Sequence, residues 1–143
     1  MENKKKESKG VLFTCQFNMG LFVNKPSFLP LFIEFIADQG FTAFEDNGMM
    51  GREPAMQSKI GETLAKLNMT MGVFVVDKGG NMANTLAAGK QEYIDIFLDG
   101  CRRAVDVAKR VNAKWATVVP GNFSRQLPMG IQTGNVIEVL KRG

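Results

Sequence analysis

Carboxylates at the ends of apolar strands are the residues here whose type and spacing suit chemistry. The stretch Gly40-Phe-Thr-Ala-Phe-Glu-Asp-Asn-Gly48 reads as a short buried strand that delivers Glu45 and Asp46 and breaks at Asn47-Gly48. Helical patterns precede and follow it, and in parallel α/β folds the ligand site lies at the carboxyl ends of the strands. Glu45 at that point either orients a substrate hydroxyl or metal-bound water, or caps the next helix or pairs with a nearby Lys or Arg. Asp46 reads as the turn residue ahead of Asn47-Gly48. Asp77 closes a second apolar run and either faces the site or simply starts a loop. Arg125, in a later loop, either meets an anionic carboxylate or phosphate or is a solvated loop charge.

Composition removes several other chemistries. The 143 residues contain no histidine, and the two cysteines, Cys15 and Cys101, form no CxxC or Cys/His spacing. Zinc sites of the common Cys/His kinds and histidine-based acid–base catalysis are therefore excluded. Both thiols read as small buried hydrophobes of a reducing compartment. Lys78-Gly-Gly80 lacks the spacing of a phosphate-binding P-loop. The net charge is +4, of which the four lysines and two glutamates of residues 1–10 supply +2. The remaining body is too weakly basic to point to nucleic acid. Residues 1–10 read as a disordered basic tail, and no apolar run approaches a membrane span. These features together predict a cytoplasmic protein.

Four strand–helix units must position the site. Strands are predicted at residues 11–17, 41–46, 69–77 and 115–119. The first helix follows Ser27 as its N-cap, with Phe28, Leu31, Phe32, Phe35 and Ile36 at helical spacing and Gly40 just past its end. Pro54 suits the first position of the second helix, whose Met56, Ile60, Leu64 and Leu67 share a face and which stops at Asn68. The third helix spans residues 90–112, with Tyr93, Phe97, Cys101, Ala104, Ala108 and Val111 inward. Thr133 is the predicted cap of the last. The loop 78–89 is Gly/Asn-rich and long enough to read as functional or mobile. The third strand is apolar almost throughout, as in a parallel sheet covered on both sides or a closed barrel. Right-handed crossovers then give parallel strands in the order 1-2-3-4.

Phe13-Thr-Cys-Gln-Phe-Asn-Met-Gly-Leu-Phe22, Ser27-Phe-Leu-x-x-Phe32 and Gln39-Gly-Phe-x-x-Phe-Glu45 resemble the start of the hydroxypyruvate isomerase family, among the xylose isomerase-like TIM barrels. The resemblance continues through Gly89-Lys-x-x-Tyr-x-x-x-Phe97, the helix at 102–111 and Val118-Val-Pro-Gly121. It implies that residues 11–143 are the N-terminal (βα)4 half of a TIM (β/α)8 barrel, a fold of about 250 residues. It implies an isomerase that converts hydroxypyruvate to tartronate semialdehyde, or a related sugar isomerase or epimerase. Its small-molecule sugar or keto-acid substrate would meet Asn18, Glu45, Asp77, Gly121 and Asn122, with Arg125 close by. A divalent metal (Mg²⁺, Mn²⁺ or Zn²⁺) and the proton-shuttling carboxylates would belong to strands five to eight, beyond Gly143. No metal is therefore expected on this chain alone. Relatives often carry a histidine near the end of strand three, where this chain has Val73-Phe-Val-Val-Asp77, which leaves the substrate's identity open. An endonuclease IV-type enzyme of the same barrel group would need histidine ligands, so neither nucleic acid nor a membrane is an expected partner. A non-catalytic half-barrel is the alternative. Unpaired first and fourth strands predict a homo-oligomer in either case.

Overall fold

The computed structural model describes the backbone of residues 14–17 and all of residues 28–143. Strand β1 (Thr14–Phe17) leads to helix α1 (Phe28–Asp38), strand β2 (Ala43–Asp46) and helix α2 (Pro54–Lys66). Two very short strands follow, β3 (Thr70–Met71) and β4 (Val73–Val75). Helix α3 (Gln91–Val111), strand β5 (Trp115–Thr117) and helix α4 (Met129–Leu140) complete the order. Among the described residues this is a mixed α/β arrangement of four helices and short parallel strands, with no closed barrel. No helix among them is long and apolar enough to cross a membrane. The predicted tail and the Ser27 cap lie outside the described residues.

Helix ends follow the sequence closely because special backbone conformations enforce them. Gly40 adopts φ +89°, and Phe41 N donates to Ile36 O at 3.1 Å. Asn68 (φ 54°) and Asn112 (φ 51°) turn the chain out of α2 and α3 in the same way. Met69 N then reaches back to Leu64 O and Ala113 N to Ala108 O, at 2.8 and 2.9 Å. Asparagine tolerates this left-handed conformation better than most residues, so each helix stops where it stands. The last helix departs from expectation. It begins at Met129, after Pro128, and Thr133 lies exposed inside it. Two glycines in the helix, Gly130 and Gly134, weakened the sequence signal without interrupting the turn.

The sheet corrects the sequence reading most clearly. Residues 69–77 do not form one strand in a continuous 1-2-3-4 sheet. Instead β1, β2 and β3 form one parallel ladder, and β4 and β5 form another. Met71 and Phe74 both join the buried cluster that contains Phe44, Val76 and residues of α1, α2 and α3. Strict alternation cannot point two residues three apart to the same face. An irregular step at Gly72-Val73 solves this, in the manner of a β-bulge. The ladder is handed over without losing the edge, since Gly72 N donates to Phe44 O at 2.8 Å while Val76 N donates to Thr117 O at 2.9 Å. Phe44 is fully buried in the cluster formed with the helices. The fourth strand is shorter than predicted, and all three of its residues are exposed.

Two backbone contacts seat α3. A Cβ added at Gly61 of α2 would collide with the Arg110 carbonyl oxygen, and one at Gly100 would collide with the Asp77 carbonyl oxygen. Glycine costs a helix about 1 kcal/mol relative to alanine, so its presence at Gly61 reflects this approach and not helix propensity. Gly61→Ala should therefore destabilise the protein, by about 1–3 kcal/mol in urea denaturation, although alanine is the better helix former. Leu64→Ala, one turn along the same buried face, should cost about 2–5 kcal/mol. A stabilised Gly61→Ala protein would show that the α2–α3 contact is looser than described.

Candidate functional site

The carboxyl ends of β2, β4 and β5 carry the candidate residues, each positioned differently. Glu45 is half-buried and no hydrogen bond or ion pair to another described residue holds it. Its side chain lies over Gly72, where a Cβ would come within 2.7 Å of Glu45 Cγ. The missing side chain at the strand break thus makes the space that Glu45 occupies. Together they line an open, mainly apolar cleft of about 500 Å³, shared with Leu64, Met71, Val111 and Trp115. A free carboxylate in such a cleft is available to accept hydrogen bonds from a ligand.

Asp46, one residue on, has the opposite fate. It is completely buried and forms an ion pair with Arg52, while its Oδ1 accepts the Gly48 amide at 3.0 Å. The turn role expected of it is therefore present, and a buried pair is added to it. The network extends through Gln57, whose Nε2 donates to Met49 O (3.1 Å) and Arg52 O (2.9 Å). Arg110 from α3 donates to Gln57 Oε1 at 3.0 Å. These bonds fix the loop after β2, including buried Met49, and so fix where Glu45 emerges.

Asp77 is turned toward α3. Its Oδ1 accepts the Gly79 amide at 2.9 Å, and its Oδ2 lies 3.6 Å from Arg103, an exposed pair of little energetic weight. Asn122 is exposed, and its carbonyl accepts the Thr85 hydroxyl at 2.6 Å. Gly121 (φ +100°) lies directly against Thr85, which joins the loops after β4 and β5. Arg125 is exposed on a loop clamped by buried Gln132, which bonds both Ser124 and Leu127. Asn18 lies outside the described residues. The structure therefore couples Asp77 to α3 and Asn122 to Thr85. It reports no direct contact among Glu45, Asp77, Asn122 and Arg125.

Four residues that matter here were not singled out from the sequence: Arg52, Gln57, Lys78 and Gln132. Gln57 had a signal, because it falls in register with Ile60 and Leu64 on the buried face of α2. Lys78 had none beyond its Gly/Asn-rich surroundings. Its side chain is 1 % exposed, and Nζ donates to three loop carbonyls. Burial pulls its ammonium below the ordinary value, and the charge of Asp77 opposes that pull. Burial likewise pushes the Cys101 thiol up, against Arg102. No three Cys, Asp or Glu side chains come together among the described residues.

The chain matches no family model, and neither a curated protein nor a solved structure matches it. The site is therefore read from its own geometry. Removing the carboxylate of Asp46 leaves a cation with 13 % side-chain exposure beside it. Asp46→Ala should cost about 1–3 kcal/mol in chemical denaturation, because it removes the buried acceptor of the Gly48 amide and one partner of Arg52. A cost below 1 kcal/mol would show that Arg52 finds solvent or another acceptor freely.

Proposed function

We propose that this chain supplies the substrate-facing half of a sugar or keto-acid isomerase of the hydroxypyruvate isomerase type, the N-terminal (βα)4 half of a TIM barrel. The observation that carries the reading is Glu45, an unpaired carboxylate at the end of a parallel strand, with Gly72 clearing its space. The chain order of strand and helix units, and the residues that resemble that family, support it. In this reading Glu45 accepts a hydrogen bond from a substrate hydroxyl. Arg125, on the loop after β5 that also bears Asn122, would pair with the substrate carboxylate, although the Glu45 cleft itself is lined by the amino ends of β4 and β5. Asp77 holds the loop after β4 against α3. The divalent metal and the carboxylates that move the proton would come from outside residues 1–143, so no step of the proton transfer is assigned to the residues described here. The reading places the protein in the cytoplasm with a small-molecule partner.

A second reading, a self-associating module without catalysis, is favoured by the β5 edge. Trp115, Ala116 and Thr117 are all exposed there, and Trp115 reaches 73 %. Free parallel edges pair readily with other chains, so both readings include a homo-oligomer.

Glu45→Gln separates the two. Hydroxypyruvate isomerisation by the intact polypeptide should fall roughly 10–100-fold. Stability should stay within about 1 kcal/mol of the wild type, as for a residue outside the core. Unchanged turnover with a lowered melting temperature would make Glu45 structural and overturn the isomerase reading. Light scattering of residues 1–143 during size exclusion should show a dimer or larger species. A monodisperse monomer at tens of micromolar would remove the self-association common to both.

A further inference from the structure

The segment from Asp77 to Gly89 closes on itself around one ammonium group. Lys78 Nζ donates to the carbonyl oxygens of Gly80 (3.1 Å), Asn81 (3.0 Å) and Ala83. Asn84 Nδ2 donates back to Lys78 O at 2.7 Å, and Gly79 N is held by Asp77 Oδ1 at 2.9 Å. Gly79 and Gly80 have φ of +81° and +106°, and Asn84 has φ 47°. These three residues permit the turns that bring the carbonyls to bear on a single point. The peptide groups themselves belong to exposed residues, whereas the group at the centre is buried.

Carbonyl oxygens converging on one charge make a cation site, the chemistry by which backbone rings hold potassium. Here an ammonium from the same chain occupies it, and all three of its protons are committed. We propose that Lys78 is an internal cation that locks the 79–85 loop across the carboxyl ends of β4 and β5, and that the carbonyl nest takes up ammonium or potassium when the lysine side chain is removed. The spacing favours a large monovalent ion. Two of the three carbonyl oxygens lie 3.0–3.1 Å from the ammonium nitrogen, too far for Mg²⁺ at about 2.0–2.1 Å or Ca²⁺ at about 2.3–2.6 Å, and that of Ala83 is closer.

The lock reaches further than its own loop. Thr85, at the end of that loop, donates its hydroxyl to Asn122 O and packs on Gly121. Leu86, fully buried, donates its amide to Pro120 O at 2.8 Å. Releasing the ammonium therefore frees the loop after β5 as well as the one after β4.

Hydrogen exchange read by mass spectrometry on peptides covering residues 77–89 tests this in Lys78→Ala, whose shortened side chain leaves room for an ion. Spectra are taken in ammonium, potassium and N-methylglucamine chloride at equal ionic strength. Wild-type exchange should be slow and the same in all three salts. In Lys78→Ala the 77–89 peptides should exchange roughly tenfold or more faster in N-methylglucamine chloride, with α3 still protected. Ammonium and potassium should restore protection saturably. Lys78→Met, which keeps the stem without the charge, should open the loop and remain open in every salt. Unchanged loop exchange in both variants would overturn the lock. Equal recovery in all salts, or none in ammonium or potassium, would overturn the cation site. Loss of α3 protection in every salt would also sink the proposal, because Lys78 would then support the whole fold and not a separable loop.

Discussion

The close seating of α3 is the constraint on which the rest of the structure depends. Helix α2 reaches it through Gly61 against the Arg110 backbone, and the chain leaving β4 reaches it through Gly100 against the Asp77 carbonyl. Ile94, Phe97, Ala104, Val107 and Val111 are then buried in the cluster that also holds Phe44 and Phe74. Burying such side chains is worth roughly 1.5–3 kcal/mol each for the larger ones, so this one helix anchors a large share of the apolar stabilisation. Because the contacts are backbone to backbone, they fix distance and not merely burial. The level at which β4 ends, and hence where Asp77 and Lys78 stand, is set by where Gly100 lies on α3.

The polar interior has a consistent logic. Among the described residues, Asp46, Gln57, Lys78 and Gln132 are the buried polar side chains, and each bonds to loop backbone. None of their buried side-chain nitrogen or oxygen atoms lacks a partner. Unsatisfied buried groups cost about 1–3 kcal/mol each, so a complete set of partners is what allows these residues to be inside at all. Their shared task is to shape the loops after β2, β4 and β5. The strands are too short to do that themselves. Glu45 stands apart as a half-buried carboxylate without such a commitment, which is why the functional reading rests on it.

Much of the fold was legible in the sequence. Gly40, Pro54, Asn68 and Asn112 mark helix boundaries through backbone conformation, a local property that a neighbouring sequence cannot easily override. The apolar spacing of Ile60 and Leu64, or of Phe97 and Ala104, likewise survives in the packed core. What sequence could not show was the handover at Gly72. A mainly apolar run from Met69 to Val76 looks like one strand, and only the competing demands of Met71 and Phe74 for the same core reveal the break. The candidate site was half legible for a related reason. Strand ends announce Glu45 and Asp77 by position, but whether a carboxylate is free or tied depends on partners distant in sequence, such as Arg103 for Asp77. Lys78 was hidden altogether, because a lysine beside two glycines normally means a solvated loop.

Trp115 is the sole tryptophan of the chain, and it stands exposed at the start of the uncovered β5 edge, lining clefts on both sides of that strand. Indole emission is governed by the water around the ring. In the isolated chain it therefore reports a hydrated environment whether or not the interior is folded, and its change on denaturation is small. Anything that comes to lie along β5 dehydrates the ring at once. The protein thus carries an intrinsic optical probe that is nearly blind to its own folding and selectively alert to occupation of its open edge.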